Sequence, residues 1–96
     1  MDIRTVDLNL LPVLDALLRH RSVTLAAREL EMSQSALSSS LSRLRKHLGD
    51  ELFVRTGRGL LPTPRATSLA VPVASILDQV REKVLSSNDF DPDISN

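Results

Sequence analysis

The stretch Ser33-Gln34-Ser35-Ala36-Leu37-Ser38-Ser39-Ser40-Leu41-Ser42-Arg43-Leu44-Arg45-Lys46-His47-Leu48-Gly49 decides the fold of this 96-residue chain. Leu37, Leu41, Leu44 and Leu48 fall at i, i+4, i+7 and i+11, the spacing that lines one face of an α-helix. At about 100° per residue, Ser35, Ser38, Ser39, Ser42, Arg43 and Lys46 occupy the opposite face. Ser33 is a good N-cap and Gly49 a good stop, so the spacing predicts a helix from about Gln34 to His47. A merely solvated face would carry long Glu, Lys and Gln. This one has five serines between positions 35 and 42, and serine is a mediocre helix former. Serine is also compact, which lets the backbone approach another surface closely. Its hydroxyl donates to and accepts from base edges or phosphates.

Upstream, Ser22-Val23-Thr24 opens a short helix expected over Leu25 to Leu30, with Thr24 or Ser22 as its cap. Ala26 and Ala27 permit close packing by a neighbour, and Glu31-Met32-Ser33 breaks the helix. Earlier still, Leu8 to about His20 carries Leu10, Leu11, Val13, Leu14, Leu17 and Leu18, too apolar for a surface helix. A proline is cheap in a first turn and costly further in, so Pro12 places the start near Asn9, or distorts the first turn if the helix begins earlier.

Downstream, Leu52-Phe53-Val54 reads as a strand, Arg55 to Gly59 as a turn, and Leu60-Leu61 as a return strand. Such a hairpin beside a helix-turn-helix is a wing, and Arg55 and Arg58 at its tip suit phosphates or a minor groove. An isolated hairpin is marginal, so it must pack through Phe53 and Leu60 or Leu61. Thr63-Pro64 starts a fourth helix. There Ala66, Leu69, Val73, Ile76 and Val80 step as an a/d seam. Pro72 interrupts it, removing one hydrogen bond to the Ser68 carbonyl. The seam fails after Val80, where Lys83 takes the next slot and Val84 shifts it. The stripe could pack on its own domain. A partner helix is the expectation, because three short helices and a wing already form a compact unit. From Ser86 onward the composition is that of a linker.

Twelve Lys+Arg balance twelve Asp+Glu, but unevenly along the chain. Residues 1–65 carry +3 and residues 66–96 carry −3, and the stretch 34–65 reaches +4. No cysteine is present, which excludes disulfides, thiolate zinc sites and cysteine nucleophiles. Two Phe and no Trp or Tyr argue against single-strand binding by base stacking. No apolar run approaches the roughly 20 residues that span a bilayer. The start Met1-Asp2-Ile3-Arg4 lacks a signal peptide, so no membrane association and a cytoplasmic location are expected.

Taken in order, residues 22–30, Ser33-Gln34-Ser35-Ala36-Leu37-Ser38, Leu41-Ser42-Arg43-Leu44-Arg45 and Leu48 to Arg55 resemble the N-terminal DNA-binding region of LysR-type transcriptional regulators. The resemblance covers roughly residues 6–86. Pro62-Thr63-Pro64-Arg65-Ala66 is similar to the branch containing NodD and NahR. Ser35 stands where the family usually has Pro, Arg45 where many members have Glu, and Val23 in place of Phe. The resemblance implies a mainly α, winged helix-turn-helix fold with a long C-terminal dimerisation helix. It divides the chain into a DNA-binding domain (1–63), a linker helix (64–87) and a flexible hinge (88–96, with Phe90-Asp91-Pro92). A small-molecule inducer would bind a larger domain after the hinge, and no cofactor is expected in residues 1–96. The implied partners are a double-stranded DNA operator and a second copy of the chain, with higher oligomers of the full-length protein.

Bottom-up chemistry gives matching roles. Gln34, Ser35, Ser38 and Ser39 lie where a recognition helix meets base edges, and Ser42 continues that face. Thr24 and Ser33 sit at helix N-termini, which favour a phosphate. Arg43, Lys46, Arg55 and Arg58 suit the DNA backbone. Ala66, Leu69, Val73, Ile76 and Val80 are the expected dimer seam. An enzyme is the first rival, but no carboxylate pair, phosphate loop or metal spacing accompanies His20 and His47. A protein-interaction module is the second. It explains the fourth helix but neither the serine face nor the arginine wing.

Overall fold

The computed structural model describes residues 2–86. After a 3₁₀ turn (Ile3–Thr5) come α1 (Leu10–His20), α2 (Val23–Leu30) and α3 (Gln34–Leu48). An antiparallel hairpin of β1 (Phe53–Thr56) and β2 (Gly59–Pro62) follows, then α4 (Pro64–Gln79) and a π-helical turn (Val80–Val84).

α1 is the hub, because Leu10, Val13, Leu14, Ala16 and Leu17 are all buried and it packs against α2, α3 and α4. Pro12 is its third residue, where a missing N–H costs nothing. Asn9 holds the cap position without a side-chain cap bond. Instead the Asp7 carboxylate accepts the Asn9 N–H at 2.9 Å.

α2 begins two residues before the expected Leu25, because Ser22 Oγ accepts the Leu25 N–H at 3.1 Å. Ser22 is therefore the cap, and Thr24 is the second helical residue. Ala26 and Ala27 are buried against the neighbouring helices. Glu31 closes α2 at φ 56°, and the Met32 N–H returns to the Ala27 carbonyl at 2.9 Å. That left-handed residue turns the chain sharply into Ser33, whose Oγ accepts the Ala36 N–H at 3.0 Å and starts α3. α3 then buries Leu37, Leu41 and Leu44, and Gly49 ends it at φ 63°.

The wing differs from the sequence expectation in two ways. Its turn is only Gly57-Arg58, so Arg55 belongs to β1, opposite Leu60, and Arg58 alone is at the tip. Leu52 is not in the strand. It is fully buried at φ 66°, and the Phe53 N–H donates to the Glu51 carbonyl across it at 2.7 Å. The wing's inward anchors are Phe53 and Leu60, while Leu61 is exposed. Gly59 fastens the hairpin to the body. At φ 113°, a Cβ there would lie 2.8 Å from the Arg21 carbonyl oxygen, which accepts the Leu60 N–H at 3.0 Å.

α4 divides into two halves. Thr63 caps it, with Pro64 as its first residue, and the helix runs on through Pro72. Ala66 (0% exposed) and Val73 (5%) are in the core shared with α1, and Leu69 and Leu77 pack against it. Of the expected seam, Ala66 and Val73 are therefore covered by the chain's own body, and Leu69 is partly covered. Ile76 (46%) and Val80 (38%) remain exposed. The slip of the repeat after Val80 has a structural counterpart. The π-helical turn, closed by Leu85 N–H to the Val80 carbonyl at 2.9 Å, takes in an extra residue at that point. The expected hinge at 88–96 lies outside the described residues.

Candidate nucleic-acid interface

The leucines bury one side of α3 and thereby present Gln34, Ser35, Ser38, Ser39, Ser42 and Lys46 together on the other, all exposed. Ala36 is exposed in the first turn as well. Ser33 Oγ is engaged in its cap and lies 3.3 Å from Ser35 Oγ. Thr24 is exposed on α2, which packs against α3. Arg55 and Arg58 are exposed on the wing.

The cations fall into two groups. Arg19 is consumed by Asp15 and Glu29, and Glu29 also meets His20 Nε2 at 2.6 Å. The Arg19 guanidinium, with His20 adding to it, holds the Glu29 carboxyl down at about 2 from its ordinary 4.5. This cluster joins α1 to α2. Lys46, Arg55 and Arg58 have no carboxylate partner among the described residues. Arg43 does not belong with them. Its Nη2 donates to Asp7 Oδ2 at 2.9 Å and ties α3 to the approach to α1. The Asp7 carboxyl sits below its ordinary value mainly through the Asn9 N–H, with Arg43 adding to the effect.

Four further exposed cations, Arg21, Arg28, Arg65 and Lys83, also lack a carboxylate partner among the described residues. Arg21 stands at the wing's attachment through its carbonyl. Nothing local in the sequence signals that contact. No helix among the described residues is long and apolar enough to cross a membrane. Nor do three or more of their His, Asp or Glu side chains converge as a metal site would require.

A family model described as bacterial regulatory helix-turn-helix protein, lysR family, matches residues 8–67. Nodulation protein D 1 of Bradyrhizobium sp. (strain NC92) is 47% identical over 92 residues, which is 96% of this chain and 29% of that protein. The chain thus spans under a third of the length of this curated relative. The probable transcriptional regulator PA0477 from Pseudomonas aeruginosa superposes with a TM-score of 0.81 at 54% identity, over 83% of this chain and 27% of that one. A BenM DNA-binding domain in complex with catB site 1 DNA superposes with a TM-score of 0.79 at 26% identity, over 88% of this chain and 96% of that one. The family is one of regulators, not enzymes. With its residues 8–67 matched and its winged helix-turn-helix shared, the chain belongs to the lysR family of bacterial regulatory helix-turn-helix proteins.

Proposed function

We propose that this chain is the double-stranded DNA-binding part of a cytoplasmic LysR-type transcriptional regulator, with α3 in the major groove and the wing on flanking DNA. The observation that carries this reading is the exposed polar face of α3, where Gln34, Ser35, Ser38, Ser39 and Ser42 stand with Lys46, alongside a wing that carries exposed Arg55 and Arg58. Gln34 can bond bidentately to adenine, and Ser35, Ser38, Ser39 and Ser42 meet base edges or phosphates at close range. The Ala36 methyl is suited to a thymine methyl. Thr24 and Ser33 are assigned to phosphates near helix N-termini, and Lys46, Arg55 and Arg58 to the backbone. Arg43 is a weaker candidate, because Asp7 already neutralises it.

The reading includes a homodimer on an interrupted inverted repeat. Its seam centres on Ile76 and Val80. These line a groove of about 450 Å³ together with Leu8, Leu11, Pro12 and Leu85. Residues 64–87 then join this DNA-binding body to a hinge at 88–96 and a further domain that takes a small-molecule inducer.

Fluorescence anisotropy with a duplex selected from a random pool tests the core of the reading. Affinity should fall with salt at a log–log slope of about −0.9 per phosphate contact. A flat salt response, or no preference over random duplex, overturns it.

A further inference from the structure

Arg45 and Lys46 are adjacent, yet they do opposite things. Lys46 points outward without a carboxylate partner among the described residues. The Arg45 guanidinium is turned into the chain. Its Nε donates to the Glu51 carbonyl at 2.7 Å and its Nη2 to the Phe53 carbonyl at 3.0 Å, with the Glu51 carboxylate 3.4 Å away. Those two carbonyls flank Leu52, the buried residue held at φ 66°. The same Glu51 carbonyl also takes the Phe53 N–H. A non-glycine residue stays in this conformation only when its surroundings over-determine it. Around Leu52 they do. Asp50 Oδ1 accepts the Leu52 N–H at 2.7 Å and the Thr63 hydroxyl at 2.8 Å, pinning the turn to the cap of α4. The Gly49 and Asp50 N–H groups both return to the Arg45 carbonyl.

We propose that Arg45 is a positioning residue that braces the Leu52 turn and so fixes the wing against the recognition helix. The inference rests on the DNA-binding reading above. β1 starts at Phe53, so the bonds at residues 51 and 53 set where Arg55 and Arg58 stand relative to Gln34 and Ser38. Only a planar fork of donors reaches both carbonyls, whereas an ammonium serves as a single compact point charge. Without the brace, the wing must be ordered when DNA arrives, and its contacts yield less net affinity.

The test is a double-mutant cycle on a duplex selected by the wild-type chain from a random pool. Arg45→Met keeps the aliphatic stem and removes every donor. Arg58→Ala should weaken binding roughly tenfold in the wild-type background and no more than about threefold beside Arg45→Met. Gln34→Ala should cost the same in both backgrounds. Arg45→Lys should recover only part of the affinity. Equal Arg58→Ala losses in both backgrounds overturn the proposal. So does loss of the Gln34→Ala effect beside Arg45→Met, which would mean that Arg45 supports the whole body. If Arg58→Ala costs nothing in the wild type, the wing reading itself fails instead.

Discussion

α3 and α4 are both amphipathic helices with apolar side chains at three- and four-residue steps, and the chain treats them differently. The leucines of α3 are closed off within the body, so its outward face is all that remains for a partner. α4 is closed off only as far as Val73 and Leu77. Ile76 on its other side, and Val80, Val84 and Leu85 after it, are exposed. The spacing of apolar residues says which side chains share a face. It does not say whether the cover comes from the same chain or from another.

That contrast can be broken by substitution. The largest effect is expected at Leu37→Ala in α3, which should destabilise the fold by about 2–5 kcal/mol in urea unfolding. A loss under about 1 kcal/mol would mean that the α3 face is not sealed. Next comes Ile76→Asp in α4. It should leave monomer unfolding nearly unchanged and weaken dimerisation by roughly a hundredfold, because a charge enters a drying interface. Sedimentation equilibrium decides the matter, and a variant that dimerises unchanged would move the seam elsewhere.

On the outward face of α3, Gln34→Ala should cost about 1–3 kcal/mol on the selected duplex and little on random DNA. Competition binding reads the difference, and equal losses on both would remove Gln34 from base recognition.

The smallest effect tests the side of the molecule where charges are paired. The folded Glu29 titrates near 2, below its ordinary 4.5, so its ionised form stabilises the fold above pH 4.5. That contribution is lost as pH falls toward 2. Glu29 is partly exposed, so solvent screening keeps the effect modest. Between about pH 5 and about pH 2.5, the urea midpoint of Glu29→Gln should fall less than that of the wild type. Parallel acid limbs would show that Arg19 and His20 do not stabilise the carboxylate.

Much of this architecture was legible in the residues. Ser33, the leucine spacing and Gly49 mark α3 almost to the residue, and Thr63-Pro64 marks the start of α4. The outward serines follow from the same periodicity. What the sequence concealed is long-range or conformational. Asp7 neutralises Arg43 from 36 positions away. Leu52 reads as a strand residue because its apolar side chain is buried, yet burial here comes with a positive φ that leucine does not advertise. The five-residue turn expected at 55–59 shrinks to two, since Thr56 and Gly59 pair across the hairpin and Thr56 Oγ1 bonds the Gly59 carbonyl at 3.0 Å. The covered half of α4 was hidden too, because α1 reaches it from more than forty residues earlier in the chain.

Gly59 carries a consequence for the order in which the molecule assembles. The bond from the Leu60 N–H to the Arg21 carbonyl joins two residues far apart in sequence, and contacts of that kind form only after the intervening chain has been gathered in. A hairpin with four-residue strands has little stability of its own. The corner between α1 and α2 leaves the ribosome first, and its carbonyl acquires a donor only when residue 60 arrives. The wing is thus a late-folding unit whose permanence is lent by the three-helix body. Amide hydrogen exchange at Leu60 accordingly reports how often the wing parts from that body.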